Sequence, residues 1–162
     1  MRPKRSSLCV IAGTLALLST NAIAGPKIST QLASGVNLSQ YKTYMWVHAS
    51  APSGGNPITY QQILADFDAA LLARGYQKVQ SDADLSLILT IGAQNKTDIQ
   101  TWGRFGLQTS VYQYTQGQLS LDAFDTKTRQ ALWHGQASQT INPDKPNPRK
   151  ITAGIQKLMA SF

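Results

Sequence analysis

Apolar and polar residues alternate, or β-branched and aromatic residues cluster, along several stretches of the chain, and such stretches predict β-strands. The clearest stretch has an apolar residue at every second position: Leu85, Leu87, Leu89 and Ile91. Shorter segments predict further strands: 28–32, 41–47, 77–80, 111–114, 118–124 and 131–138. Residues 95–109 have no clear period, and we interpret them as a long loop or a hairpin tip.

Two segments place apolar side chains at three- and four-residue spacing, which predicts amphipathic helices. The first begins at Asn56-Pro57, an N-cap followed by a proline suited to the first helical turn, and ends before Gly75. A capping box starting at Thr59 is an alternative beginning one turn later. The second helix follows Asn147-Pro148. Together these elements predict an α+β fold: an antiparallel sheet of about five strands with both amphipathic helices packed on one face.

The turn between the last two strands places a constraint on one residue. Leu121 and Trp133 can share the buried face only if the turn holds one extra residue, since a slip of one position reverses every side chain. Arg129 is the natural bulge position, and the left-handed conformation needed there costs about 1 kcal/mol. We therefore predict a positive φ at Arg129.

Residues 1–24 have the pattern of a secretory signal peptide. Basic residues are followed by an apolar stretch over residues 8–18, and Ala22-Ile23-Ala24 provides a cleavage sequence. An uncleaved membrane anchor is the alternative, but a bilayer needs about 20 apolar residues. We predict cleavage after Ala24, a single periplasmic domain over residues 25–162, and no transmembrane segment in the mature chain.

The only cysteine, Cys9, lies inside the apolar stretch of the signal and not at its end, where a lipoprotein is acylated. We therefore predict that the protein is not lipid-anchored. The mature chain then has no thiol, which excludes disulfides, thiolate metal sites and cysteine nucleophiles.

Charge gives little indication of a nucleic-acid partner. The chain has 15 Lys and Arg against 8 acidic residues, all Asp, but three of the basic residues belong to the signal. The remaining net charge of +4 (12 − 8) is scattered along residues 25–162 without interleaved aromatic residues. A nucleic-acid footprint requires a denser basic stripe, so none is predicted.

Candidate catalytic chemistry is sparse in the mature sequence. Its two histidines, His48 and His134, could be combined with an aspartate in a periplasmic hydrolase, although the sequence has no G-x-S-x-G elbow. Two histidines without cysteine make a poor zinc site, and there is no phosphate-binding loop. No metal or other cofactor is therefore predicted. The aspartate pairs 66/68, 82/84 and 122/125 are best interpreted as structural.

Two groups of side chains are candidate contacts for a ligand or a partner. Trp102, Arg104 and Phe105 are large side chains in a glycine-bearing segment, where they either pack down on the domain or contact a partner. Tyr112 and Tyr114 lie on one face of a predicted strand among glutamines, and could stack on a sugar or a peptide. An ordinary polar sheet face is the alternative for the two tyrosines.

The order of several short motifs resembles a known bacterial family, domain-of-unknown-function family 4136. The motifs are Tyr41-Lys-Thr-Tyr-Met-Trp46, Leu72-Ala-Arg-Gly-Tyr76, Asp82-Ala-Asp84, Gly117-Gln-Leu-Ser-Leu-Asp-Ala-Phe-Asp125 and Leu132-Trp-His-Gly135. The resemblance implies a small exported α+β domain of Gram-negative envelopes, often lipid-anchored, with no established activity or catalytic residues. The missing lipidation cysteine and the arginine at position 129, where members often carry glycine, are departures.

These observations favour a non-enzymatic binding or assembly module of the cell envelope, whose partner is an envelope protein or a glycan. A hydrolase built on His134 or His48 is the second hypothesis. The third is a carrier of a small apolar ligand, which would require a sizeable pocket between the sheet and the helices.

Overall fold

The computed structural model describes residues 25–47, 56–102, 108–142 and 144–162. The predicted signal peptide, His48, Arg104 and Phe105 therefore lie outside the described residues. The strands are β1 (Lys27–Leu32), β2 (Thr43–Trp46), β3 (Gln77–Lys78), β4 (Leu85–Trp102), β5 (Gln108–Asp125) and β6 (Ala131–Ile141). The helices are α1 (Pro57–Leu72) and α2 (Pro148–Met159), and a short 3-10 turn covers Leu38–Gln40.

One sheet contains all six strands in the order β1-β6-β5-β4-β2-β3. Strands β1, β6, β5 and β4 pair with their neighbours in antiparallel fashion, whereas β2 is parallel to both β3 and β4. The predicted α+β class is confirmed, with six strands instead of about five and a mixed sheet instead of an antiparallel one. The parallel pairs arise because α1 carries the chain back across the sheet, so that β3 and β4 start at the same end as β2.

Both helices pack on one face of the sheet, as predicted. The odd-numbered side chains of β4 and β5 point to that face and meet the apolar stripes of α1 and α2 in a single core. The largest fully buried side chains come from all these elements: Tyr44, Phe67, Leu71, Leu85, Leu87, Leu121, Ile155, Leu158 and Met159. The even-numbered side chains form the opposite face, which no described element covers.

The predicted ends of α1 are confirmed. The Asn56 side chain accepts hydrogen bonds from the backbone N–H of Ile58 at 2.9 Å and of Thr59 at 3.3 Å, so the helix starts there and not at the capping box. Gly75 has a φ of 86°, and the N–H of the following Tyr76 donates to the carbonyl of Leu71 at 3.1 Å. This left-handed ending folds the tyrosine back under the helix.

The turn between β5 and β6 follows the prediction in part. Arg129 has a φ of 59°, and Leu121 and Ala123 face Gly135 and Trp133 on the buried side, as expected. The ladder slips at a different place, however, because Ala123 pairs with Trp133 and the next pair along is Phe124 with Ala131. Leu132 is therefore the extra residue of the bulge. Ala131, two positions before the buried Trp133, is exposed because the bulge lies between them.

The interpretation of residues 95–109 as a long loop is wrong, since residues 95–102 end β4 and residues 108–109 begin β5. The alternative, a hairpin tip, falls on residues 103–107, which lie outside the described residues. Strands β4 and β5 stay paired from Leu85 opposite Asp125 to Trp102 opposite Gln108, whereas β6 pairs with β5 only as far as Thr115. The outer seven pairs, over residues 96–102 and 108–114, form a two-stranded ribbon that we call the arm. At 3.3 Å per residue it extends about 23 Å beyond the sheet. Its sequence lacks a period because neither of its faces is buried by the domain.

Candidate functional site

The arm presents exposed apolar side chains. Ile99 and Val111 lie directly opposite each other and are 63% and 59% exposed. They occupy the face that continues the core face of the sheet, beyond the point where the helices cover it. Sequence reasoning missed this pair, because Ile99 lay within the predicted loop and Val111 was assigned to an ordinary strand. The two side chains form an exposed apolar pair on a ribbon that projects from the sheet.

The two tyrosines of the sequence prediction lie on the other face of the arm. Tyr112 is 55% exposed opposite Asp98, and Tyr114 is 36% exposed opposite Lys96. They share a face, as expected. The backbone of Trp102 forms the last position of β4. The side chain of Trp102 and the residues Arg104 and Phe105 lie outside the described part of the structure. The structure therefore brings together Tyr112 and Tyr114 on one face of the arm.

His134 and Asp122 form the only pairing of histidine with aspartate in the described residues. His134 Nδ1 and Asp122 Oδ1 are 2.6 Å apart on neighbouring positions of β6 and β5. Both side chains are partly exposed on the uncovered face of the sheet, and neither lines the two clefts described below. This arrangement orients the imidazole on the uncovered face of the sheet, outside both clefts.

Asp68 is a structural residue, consistent with the sequence interpretation. Its Oδ1 accepts hydrogen bonds from the hydroxyl of Tyr44 and from Nε1 of Trp46, both at 2.8 Å. Its Oδ2 pairs with Nζ of Lys78 at 2.9 Å. Burial, together with this carboxylate, raises the pKa of Tyr44 far above its ordinary value. The cluster fixes α1 against β2 and offers no free carboxylate for catalysis.

Two further carboxylates are held by backbone donors. The backbone N–H of Lys42, then the N–H and hydroxyl of Thr43, donate to Asp84 and lower the pKa of its carboxyl. Asp125 accepts from the backbone N–H of Thr128 at 2.8 Å in the β5–β6 turn, and its pKa is lowered chiefly by this bond. Both residues are therefore ionised at neutral pH and occupied in holding turns and strand ends.

A cleft lies at the end of the domain from which the arm projects. It has a volume of about 580 Å³ and separates the core face of the sheet from the first turns of both helices. Ile91 of β4 and Leu119 of β5 form part of one wall, and Tyr60 and Ile151 form part of the other. A smaller cleft of about 370 Å³ lies beside Trp46 and Lys78.

The core beneath these clefts is filled, and Leu119 is the only leucine among the described residues of the larger cleft. The carrier hypothesis requires a sizeable pocket between the sheet and the helices. The structure instead has an open cleft at one end of a packed core.

Among the described residues, no group of three or more His, Cys, Asp or Glu side chains converges in a way that could hold a metal ion. Neither described helix has the length and apolar character required to cross a membrane.

Comparison with known proteins places the fold. A PDZ domain protein from Parabacteroides distasonis is 13% identical with a TM-score of 0.59; 83% of this chain is covered, but the chain spans only 35% of that protein. A DUF4136 family protein from Bacteroides thetaiotaomicron is 14% identical with a TM-score of 0.55, covering 85% of this chain and 96% of the other.

A PelC dodecamer from Paraburkholderia phytofirmans is 13% identical with a TM-score of 0.52, covering 84% of this chain and 98% of that chain. At these identities the likeness concerns the fold alone. No curated protein matches the chain significantly. The family model described as a domain of unknown function, DUF4136, matches residues 28–162, in agreement with the resemblance found in the sequence. The chain therefore belongs to the DUF4136 family.

Proposed function

We propose that the protein is an exported, non-enzymatic assembly module of the cell envelope, and that the arm binds a second copy of the same chain. The observation that carries this proposal is the opposed pair Ile99 and Val111, more than half exposed on a ribbon that projects from the sheet. An isolated two-stranded ribbon is marginally stable in water, so an arm of this length gains stability from a surface on which to pack.

The outer edge of β4 provides a means of attachment. β2 pairs with β4 only over Leu85, Ser86 and Leu87, and beyond these positions β4 pairs within the described residues only with β5. A long strand edge with unpaired backbone groups is a template for another strand. Apolar side chains beside that edge would then be buried together with it.

A second copy is favoured as the occupant because the same fold forms a homomeric assembly elsewhere. The PelC structure is a dodecamer, and this chain covers 98% of its length, so that protein assembles with little beyond this one domain. An envelope protein of another kind, or a glycan stacked on Tyr112 and Tyr114, is the competing occupant.

Export is supported by the amino-terminal sequence, with its basic start, its apolar stretch and the Ala22-Ile23-Ala24 cleavage sequence. A non-enzymatic role is supported by the site of the His134–Asp122 pair, which lines neither cleft. Carboxylates at Asp68 and Asp84 are engaged in structural bonds.

The test begins with expression of the full chain in a Gram-negative host and recovery of the periplasmic fraction. Intact mass spectrometry should give the mass of residues 25–162. Sedimentation velocity over a wide range of concentrations should give a multiple of that mass. Val111→Lys and Ile99→Lys should sediment as monomers with an unchanged circular dichroism spectrum, because a buried unpaired ammonium opposes association.

Leu72→Lys is the matched control, since Leu72 is also a highly exposed apolar residue but lies on α1, away from the arm. This variant should assemble like the wild type. A photoreactive residue at Thr97, which is exposed on the same face of the arm as Ile99, should give, in cells, a crosslinked product containing peptides of this chain only. Self-assembly is contradicted by a wild type that is monomeric at every concentration, or by capture of a glycan or another protein at Thr97. Recovery of the protein from the cytoplasm with residues 1–24 still attached would contradict export.

A further inference from the structure

The larger cleft has a feature that the assembly proposal does not use: a buried polar group without a partner. Tyr60 lies in the first turn of α1, forms part of the cleft wall and is only 5% exposed. Its hydroxyl is buried and has no hydrogen-bond partner among the residues that the structure describes. Buried polar groups are paired in the great majority of cases, so an orphan beside a cleft indicates a missing partner.

The protonation state of the Tyr60 hydroxyl determines whether its missing partner is a hydrogen-bond acceptor or a donor. Burial raises the pKa of Tyr60 above its ordinary value, so the phenol stays protonated at neutral pH and can donate a hydrogen bond. The missing partner is therefore an acceptor, such as an oxygen of a ligand.

The charges around the cleft are of one sign. Lys145 and Lys150 line it, and no acidic residue does so among its described residues. The amino-terminal caps of both helices, Asn56 and Asn147, also line it. Because the amino-terminal end of a helix carries partial positive charge, two such ends favour an anionic group at this rim.

The walls between these polar groups are apolar. Ile63, Ile91, Leu119 and Ile151 line the cleft, and its volume of about 580 Å³ lies within the range of about 300–1,000 Å³ that is typical of small-molecule sites. Aliphatic walls with a basic rim match a molecule that has an alkyl chain and an anionic head.

We propose that this cleft binds a single-chain anionic amphiphile, with its alkyl chain against the isoleucine and leucine walls and its anionic head near Lys145, Lys150 and the hydroxyl of Tyr60. A carboxylate and a phosphate head share this chemistry. The site is separate from the exposed face of the arm and does not depend on self-assembly.

Three probes with the same chain and different heads test the proposal: dodecanoate, dodecyltrimethylammonium and dodecanol. Isothermal titration calorimetry below micelle-forming concentrations should show saturable binding of dodecanoate at one site per chain. Dodecanol should bind at least about tenfold more weakly, since it lacks the charge, and the cationic probe should not bind. Dodecyl phosphate in place of dodecanoate identifies which head is preferred.

Single substitutions separate the parts of the site. Lys150→Ala should weaken dodecanoate about fivefold and leave dodecanol unchanged, whereas Lys157→Ala, on the same helix but outside the cleft, should change neither. Tyr60→Phe should weaken dodecanoate about fivefold, yet should leave the melting temperature of the ligand-free protein unchanged or raised, because it removes an unpaired hydroxyl. A hydroxyl that merely supports the fold would instead lower that temperature.

Four results would overturn the proposal. The first is the absence of saturable dodecanoate binding, as expected if another segment of the chain fills the cleft. The second is equal affinity for dodecanoate and for the cationic probe. The third is a loss of dodecanoate affinity in Lys157→Ala as large as that in Lys150→Ala, and the fourth is an unchanged dodecanoate affinity in Tyr60→Phe. A monomeric protein that binds dodecanoate would contradict the assembly proposal alone, so the two failures are distinguishable.

Discussion

Thr43 and Asp84 bind each other in both directions. The backbone N–H and the hydroxyl of Thr43 donate to Asp84 Oδ2 at 2.9 and 3.0 Å, and the backbone N–H of Asp84 donates to Thr43 Oγ1 at 2.9 Å. These bonds join the start of β2 to the residue before β4, on the parallel side of the sheet. Parallel neighbours cannot be joined by a short hairpin, so this reciprocal contact aligns two strands that are 41 residues apart.

Replacing Asp84 by alanine should destabilise the domain by about 2 kcal/mol at pH 7, because three donors lose a charged acceptor. The native pKa of Asp84 is lowered from an ordinary value of 3.8, so its ionised form contributes stability that is present above that value. The contribution is lost as the pH falls through the native pKa. Urea unfolding followed at several pH values should therefore show the difference between Asp84→Ala and wild type shrinking below pH 3.8.

Asp82→Asn provides the control for this pH dependence. Asp82 is exposed and also precedes β4, and asparagine tolerates its φ of 55°. This variant should keep the wild-type stability and the wild-type pH profile. If the difference between Asp84→Ala and wild type persisted unchanged at low pH, a packing defect would be its cause.

Gly135→Ala should be strongly destabilising because the indole of Trp133 lies over the glycine. A Cβ at position 135 would come within 2.0 Å of that ring. The ring would have to move, although it packs on Phe162 at 5.0 Å and donates to the carbonyl of Ser161 at 3.2 Å. Overpacking of this kind costs about 2 kcal/mol, to be measured by urea unfolding, with a shift of tryptophan fluorescence.

Gly92→Ala is the matched substitution in the neighbouring part of the sheet. A Cβ there meets no atom within 4 Å. The variant should be as stable as wild type or gain about 0.5 kcal/mol from the lower entropy of its unfolded chain. Equal losses in the two alanine variants would show that loss of glycine itself, and not the indole, is responsible.

Local features of the fold were predictable because the residues concerned determine their own backbone. Asn56 offers a cap acceptor and Gly75 tolerates positive φ, so the ends of α1 can be located from single positions. Arg129 has the predicted positive φ, but the extra residue that keeps Leu121 and Trp133 on the buried face is Leu132. The bulge was predicted at the wrong place because one extra residue anywhere between Ala123 and Trp133 restores the same register.

The sheet order and the arm were not predictable in the same way. Alternation of apolar and polar residues identifies a strand that has one buried face. The alternation is lost where a strand continues beyond the core, as in the arm around Ile99 and Val111. The cleft depends on tertiary placement. Tyr60 lies on the apolar stripe of α1, but nothing in the spacing of apolar residues shows that its hydroxyl lacks a partner among the described residues. For Tyr112 and Tyr114, alternation alone was sufficient to place both on one face.

Asp68→Ala should weaken the attachment of α1 to β2, because it removes the carboxylate oxygen that accepts hydrogen bonds from both Tyr44 and Trp46. The hydroxyl of Tyr44 belongs to a buried side chain, and leaving it unpaired costs about 2 kcal/mol. Urea unfolding should show this loss, and the fluorescence of Trp46 should shift in the native state. Lys78→Ala removes only the partly exposed pair with Asp68 and should cost about 0.5 kcal/mol. A larger effect at Lys78 than at Asp68 would contradict this ranking.

Arg129→Gly should stabilise the domain. Arg129 has a φ of 59°, which costs a residue with a Cβ about 1 kcal/mol, whereas glycine adopts it freely. The N–H of residue 129 donates to the carbonyl of Asp125 at 2.8 Å, and this bond survives the change. Because glycine also increases the entropy of the unfolded chain, the expected net gain is about 0.5 kcal/mol, seen as a higher urea midpoint with an unchanged slope. Arg129→Ala removes the same charge but keeps the Cβ, so it should give no gain; an equal gain from alanine would assign the effect to the guanidinium instead of the backbone.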